Sequence, residues 1–371
     1  MKGQWSGEFE GSNSGTAVIN IDEKLEVFSG VAYFFDNDGS MPMLAAHFEI
    51  EKCNISSGIG ECKSNWINPL QPGLFTEVSW DAVKQFYPNV TFPKTINISF
   101  EKVGNKLKVC AKTEIDTKVE GIFSISSLDT QSELNATEMS WDEFKLFVLT
   151  NQKEVIYRGQ SEPWKLQTSF HRRGRYDLTR YQVEDIPQLH RALSSKTQHV
   201  FNLSNPQEHG AFLNLAQHHG YPTPLLDWSN SPYVAAFFAF RGISKHQAEQ
   251  YPNKKARIYI FDSTQWRKCW VQHQNMLTGQ MHLSVIDLLA IENNRMVPQQ
   301  ATTAVTNVAD IESLIIESEK KSDHKFLQVI DIPWSERNLV VRELTLMGLT
   351  AGSLFPGLDG TCEELKEKMF E

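Results

Sequence analysis

The hydrophobic pattern changes period once along the chain, near residue 125, and that change sets what each part can become. Before it the pattern is that of strands. Ala17, Ile19 and Ile21 alternate with Val18, Asn20 and Asp22, and Ile96, Ile98 and Phe100 alternate with polar neighbours. A two-residue period turns one side of each strand toward a core and leaves the other for water. Asp38-Gly39, after the aromatic run Tyr33-Phe34-Phe35, and Gly104-Asn105, between Ile96–Val103 and Leu107–Ala111, supply the turns. Residues 1–130 therefore read as an antiparallel β domain, a sandwich or partly closed barrel with one helix after Ser79. It is expected to fold separately and to recruit a protein target or partner. Tyr33, Phe34 and Phe35 read either as an exposed contact patch or as side chains serving two packed faces.

A polar, small-residue stretch from Ser127 to Thr137 reads as a linker, and a second, mixed α+β domain is expected over residues 138–371. Ser140 and Glu143 have capping-box spacing, and Phe144, Phe147 and Val148 fall on one side of the helix they open. A short strand, Val155-Ile156-Tyr157, comes next and is expected to end at Arg158-Gly159. Asn205-Pro206 and Ser231-Pro232 are helix starts, with Gly220 as a stop for the first. The helix opened by Ser231 runs through Tyr233 to Phe240, is apolar on all sides, and should be central to its domain. Arg257–Phe261 reads as a buried strand and Asn338–Gly348 as a helix.

Composition removes several classes. A net charge of -9 disfavours a generally basic nucleic-acid binder, although a local basic patch stays open. Five cysteines without a Cys-x-x-Cys pair signal neither a disulfide framework nor a zinc ribbon. The start Met1-Lys2-Gly3-Gln4-Trp5 has no signal-peptide character, and the apolar run Val234–Phe240 is too short to span a bilayer, so a cytoplasmic protein without a membrane partner is expected. Phosphate-loop, zincin and Gly-x-Ser-x-Gly signatures are absent.

The most loaded segment runs from Gln217-His218-His219-Gly220 through Pro222 and Pro224 to Asp227-Trp228-Ser229. It places polar side chains at a junction of elements. Adjacent histidines point to different sides of a helix and no further ligand stands at metal spacing, so no metal is indicated. Asp227 can cap the next turn or helix, or act in a site. The planar fork of Arg158 suits a phosphate or carboxylate, the bland alternative being a buried ion pair with Asp227. Arg172, Arg173, Arg175 and Arg180, with Tyr176 and Tyr181, form a basic-aromatic stretch that suits a phosphate-rich ligand or RNA, or a solvated face.

Tyr157-Arg158-Gly159-Gln160 with Trp164, Leu166 and Ser169-Phe170 resembles the opening motif of the FRG-domain family. Gln217 to Ser229 with Ser231-Pro232 and Ala235–Ala239, then Asn294–Gln300, then Leu354–Gly360, resemble its later blocks in order, covering the chain from about Ser140 to its end. FRG domains in turn resemble, distantly, ADP-ribosyltransferases of the arginine–serine–glutamate type. That resemblance implies an ADP-ribosyltransferase-like core with NAD as substrate. It matches Arg158 to the arginine on the dinucleotide, Asp227-Trp228-Ser229 to the second block, and Gln299 to the glutamate position. Arg158, Asp227 and Gln299 are the implied catalytic residues, with Tyr157, Gly159, Gln160, His219, Trp228 and Ser229 lining the nucleotide cleft. Glutamine cannot carry the charge that glutamate would bring to an oxocarbenium-like transition state, and Asp227 is the acid that could replace it. Two readings result. One is a protein binding NAD or an ADP-ribose-type nucleotide, with transferase or NAD glycohydrolase chemistry in stress or antiphage defence. The other is a catalytically inactive module recognising a nucleotide, nucleic acid or protein partner.

Overall fold

A computed structural model describes residues 1–127, 129–151, 153–274 and 276–370; Leu128, within the stretch read as a linker, lies outside the described residues. The amino-terminal strands are β1 (Gly3–Gly11), β2 (Gly15–Glu23), β3 (Val27–Asp36), β4 (Leu44–Glu51) and β5 (Ile59–Ser64), then β6 (Trp66–Pro69), β7 (Ile96–Val103), β8 (Lys106–Thr113) and β9 (Lys118–Ile125). They form one antiparallel sheet in the order β5-β7-β8-β9-β1-β2-β3-β4-β6. β4 meets β5, so the sheet curls into a nearly closed barrel. The barrel is filled by Trp5, Phe9, Ile19, Phe34, Phe100 and Phe123. Gly104, at φ +57°, makes the expected turn between β7 and β8.

One expectation is corrected on β2. Its polar side does not face water: Asn20 is 5% and Asp22 1% exposed, because the second domain packs over it. Gln4 donates to Asn20 Oδ1 (2.9 Å) and to the carbonyl of Asn307 (2.8 Å), and accepts from the Ala309 N–H (2.9 Å), spending its amide across the junction. Asp22 accepts from Arg175 Nε (2.6 Å) and from the backbone N–H groups of Tyr176 (2.5 Å) and Asp177 (3.3 Å). The aromatic run serves packed faces: Phe34 points into the barrel, whereas Tyr33 lies in the junction with its hydroxyl 3.2 Å from Thr179 Oγ1.

Asp177 is fully buried in the same junction, its Oδ1 accepting from the Arg180 N–H (3.0 Å) and its Oδ2 without a hydrogen bond but 3.7 Å from Arg180 Nε. Burial raises its carboxyl to about 6, opposed by that N–H and reinforced by Asp22. A folded-state value above the unfolded one means that the native state binds more protons between about pH 4 and 6, so this group's contribution to stability falls as pH rises through that window. The expected loss is about 3 kcal/mol at most, and Asp177→Asn, which keeps the acceptor, should flatten that part of the urea-midpoint profile. An unchanged profile in the variant would refute the assignment.

The second sheet contains β10 (Thr137–Glu138), β11 (Ile156–Gln160), β12 (Leu225–Ser229), β13 (Lys255–Phe261), β14 (Leu283–Ile286), β15 (Ala301–Thr306) and β16 (Leu327–Pro333). Its order is β10-β16-β13-β11-β12-β15-β14, antiparallel except where β10 joins β16. β10 comes from the end of the polar stretch, whose Leu134 and Ala136 pack on the core, so these residues strap the sheet.

The local helix signals read from the sequence are in place. Ser140 and Glu143 form a capping box on Trp141–Thr150. Asn205 caps Pro206–His218, Ser231 caps Pro232–Phe240, and the helix Arg337–Leu346 closes before Gly348 at φ +78°. Pro232–Phe240 is central on one side of the sheet, packed among Trp141, Phe144, Ile258, Ile260 and Val340. Trp228, Phe261, Trp266, Ile315 and Phe326 form the core on the other side. No helix among the described residues is long and apolar enough to cross a membrane.

Candidate active site

β11 is a central strand, and its register with β13 continues past Arg158 to Gly159↔Ile258 and Gln160↔Arg257. Arg158 therefore stands within the strand and not at its end, a correction to the sequence reading, because pairing with β13 carries the strand on. On its other side β11 pairs with β12 only at Tyr157↔Ser229. Past that pair the two strands part, and Arg158 crosses the gap. Its Nη1 donates to the main-chain carbonyl of Asp227, while its buried Nε has no partner. Burial lowers the guanidinium to about 10, with Asp227 acting against that fall, so the group stays charged at neutral pH.

Arg158 and Asp227 thus meet, but through a main-chain oxygen and not as the ion pair weighed from the sequence. The carboxylate of Asp227 turns elsewhere: Oδ2 accepts from Gln217 Nε2 (2.5 Å) and Oδ1 is buried without a partner. Gln217 is fixed in turn by the hydroxyl of Thr223, which donates to its Oε1. Sequence reasoning gives Gln217 no role, since nothing in the spacing shows that its amide returns to Asp227 after the chain has turned at Gly220.

A cavity of about 200 Å³ opens at this point. Tyr157, Arg158, Asp227, Trp228, Ser229 and Gln299 line it, so most of the residues selected from sequence converge. Phe238 and Phe355 supply apolar walls. Ser229 Oγ donates to the carbonyl of Gln299 (2.7 Å), and Gln299 Nε2 donates to the carbonyl of Leu354 (2.9 Å). One N–H of the Gln299 amide is therefore engaged by the carboxy-terminal helices. The indole N–H of Trp228 is buried and unpaired.

Three selected residues stand differently from the sequence reading. His219 is exposed at the end of its helix, and His218 lines the cavity instead, with Nδ1 bonded to Asn293 Nδ2. Burial lowers the pKa of His218, favouring its neutral ring. Gln160 faces a neighbouring open cleft, its Nε2 donating to the carbonyl of Trp164 (2.6 Å). Gly159 borders the cavity, but its missing side chain answers to packing: a Cβ there would lie 1.9 Å from the carbonyl oxygen of Ala235. Only glycine lets the central helix come this close to β11.

The basic-aromatic stretch divides. Arg175 is paired with Asp22 and Asp185, and Arg180 with Glu49 and Glu184, so these two belong to the domain junction. Arg172 and Arg173 instead line the open cleft. Among the described residues no group of three or more His, Cys, Asp or Glu side chains is placed to hold a metal ion.

No curated protein matches the chain in sequence. A solved redesigned β-barrel, mFAP1, bound to DFHBI, is 8% identical over 33% of this chain and 93% of its own, at a TM-score of 0.23, too low to argue from. The family model described as FRG domain matches residues 153–248, a span that includes Arg158, Gln217, Asp227 and the helix Pro232–Phe240 but not Gln299. This part of the chain is an FRG domain.

Proposed function

We propose that the FRG domain binds NAD or a related ADP-ribose-type nucleotide across Arg158. The observation that carries this reading is the place of the guanidinium: it lines both the smaller 200 Å³ cavity and the larger open cleft beside it, with Nε unpaired. A planar, charged donor at such a junction suits a diphosphate whose two nucleoside halves lie on either side. The smaller side has aromatic walls for a base and one carboxylate, Asp227, with an uncommitted oxygen.

That oxygen is suited to stabilise positive charge at the sugar carbon as the bond to nicotinamide breaks. Nicotinamide leaves with the bonding electron pair as a neutral base; water or an acceptor hydroxyl then bonds to the carbon and releases its proton. This would make the domain a transferase or glycohydrolase of the ADP-ribosyltransferase-like kind, serving stress or antiphage defence. Incubation with labelled NAD tests it. The expected result is release of nicotinamide, reduced by about a hundredfold or more in Asp227→Asn, with NAD stabilisation in a thermal-shift assay retained.

A second reading, a catalytically inactive module for a nucleotide, nucleic acid or protein partner, is favoured by the amide at position 299, which brings no charge to the sugar and already gives one N–H to the Leu354 carbonyl. Stabilisation by NAD without nicotinamide release in the unmodified protein would select it. Absence of stabilisation by any dinucleotide would remove the nucleotide reading altogether.

A further inference from the structure

On the outer side of Arg158 the open cleft has a volume of about 1020 Å³, far more than a diphosphate requires. Its lining includes the cations Lys2, Lys165, Arg172 and Arg173 as well as Arg158, and no carboxylate. Lys165 is neutralised by Asp310 at 2.8 Å. Arg172 and Arg173 are exposed and form no ion pair with the described residues, and Lys2 likewise forms none. On a chain of net charge -9 such a group concentrates positive potential in one concave place.

The cations are positioned from both domains. Lys2 reaches from the barrel across Gly174, where an added Cβ would stand 2.4 Å from its Nζ. Asp22, also in the barrel, holds Arg175 and the backbone of Tyr176, just beyond Arg172 and Arg173 in the chain. Trp164, 41% exposed, offers a ring at the wall of the cleft that Phe238 and Tyr176 also line. His171 adds a polar ring edge: it is 2% exposed, its Nδ1 lies 2.7 Å from the Thr168 hydroxyl, and its Nε2 has no hydrogen-bond partner. The Thr168 oxygen also accepts from the His171 N–H (3.3 Å), which fixes the ring at the cleft wall. Burial holds this ring neutral, at about 3.

We infer that this cleft binds a single strand of nucleic acid, with backbone phosphates on Lys2, Arg172 and Arg173 and an unstacked base on Trp164. Sequence-tolerant strand binding combines these two elements, a cationic groove and an exposed aromatic ring. The inference goes beyond the dinucleotide reading and stands or falls separately from it. It also gives the barrel a part in the site, since Lys2 belongs to one domain and the arginines to the other.

Fluorescence anisotropy of a short labelled oligothymidylate, titrated with the full chain at about 50 mM salt, tests the inference. Three phosphate contacts predict that log affinity falls with log salt at a slope of about -2. The double substitution Arg172→Glu and Arg173→Glu should weaken binding by about tenfold or more, and Trp164→Ala by about tenfold. Trp164 and Arg173 are exposed, so the thermal midpoint should hold in Trp164→Ala and in Arg173→Glu alone, which should weaken the strand without touching Arg172 and its interaction with Asp227. Strand binding without NAD stabilisation would support this site while defeating the dinucleotide reading. No anisotropy change, an affinity unaltered by the arginine substitutions, or full displacement by inorganic pyrophosphate at equal phosphate concentration would overturn the inference. So would loss of NAD stabilisation in the arginine variant with no strand bound, which would give the cleft to the dinucleotide's second half.

Discussion

Lysine at position 158 should leave the protein folded and weaken NAD by about ten- to hundredfold in isothermal titration, the equivalent of about 1.5–3 kcal/mol for charge-assisted hydrogen bonds. Arg158 has two tasks that one ammonium cannot share. Nη1 holds the Asp227 carbonyl where β11 and β12 part, and the rest of the fork remains for a ligand phosphate. A lysine ammonium carries its three N–H groups on one nitrogen, so it lacks the spread by which one nitrogen of the planar fork holds the carbonyl while the others face the ligand. Burial also lowers the guanidinium to about 10, and it remains charged only because arginine starts so high. The same burial would move an ammonium closer to neutrality. Arg158→Ala should fold less stably, because it strands the carbonyl and opens a void between the two cavities. NAD affinity in Arg158→Lys equal to that of the unmodified protein would remove the diphosphate role.

Which parts of this arrangement are legible in the sequence depends on the range of the interaction that fixes them. The Ser140–Glu143 capping box, the Asn205-Pro206 and Ser231-Pro232 starts and the turn at Gly104 are settled within a few residues, and each is readable. The grouping of Arg158, Asp227, Trp228, Ser229 and Gln299 at one cavity is reached through motif order, which keeps information that periodicity does not. The failures are nonlocal. Alternation on β2 marks Asn20 and Asp22 as polar but cannot show that residues about 150 positions later will cover them. His218 and His219 are neighbours of the same type, and only the final turn of the helix determines which one meets the cavity. Four arginines look equivalent until acids from the barrel and from nearby turns claim Arg175 and Arg180 and leave Arg172 and Arg173 to the cleft.

Asp22→Ala is expected to lower unfolding stability by about 3 kcal/mol or more in urea, near the bottom of the range of about 3–5 kcal/mol for breaking a buried ion pair. Asp22 is 2% exposed at its side chain and accepts from Arg175 and from two backbone N–H groups. Alanine leaves those buried N–H groups without partners. Arg175 loses less, because its side chain is 32% exposed and Nη2 keeps Asp185 at 2.9 Å. That remaining pair is why the lower end is expected. Asp22→Asn, with the same shape and no charge, should fall between the two and shows how much of the loss is electrostatic. The result also bears on whether residues 1–130 and 138–371 fold apart. Separation would expose the apolar outer cluster of Val31, Tyr33, Ala45 and Leu70 on the barrel and leave Arg175 and the Tyr176 N–H without Asp22 on the other side. A large effect of Asp22→Ala therefore predicts that the 138–371 fragment is poorly stable alone and is rescued by adding the barrel in trans. A loss below about 1 kcal/mol, typical of surface pairs, would mean that the junction contributes little and that the halves are independent modules after all.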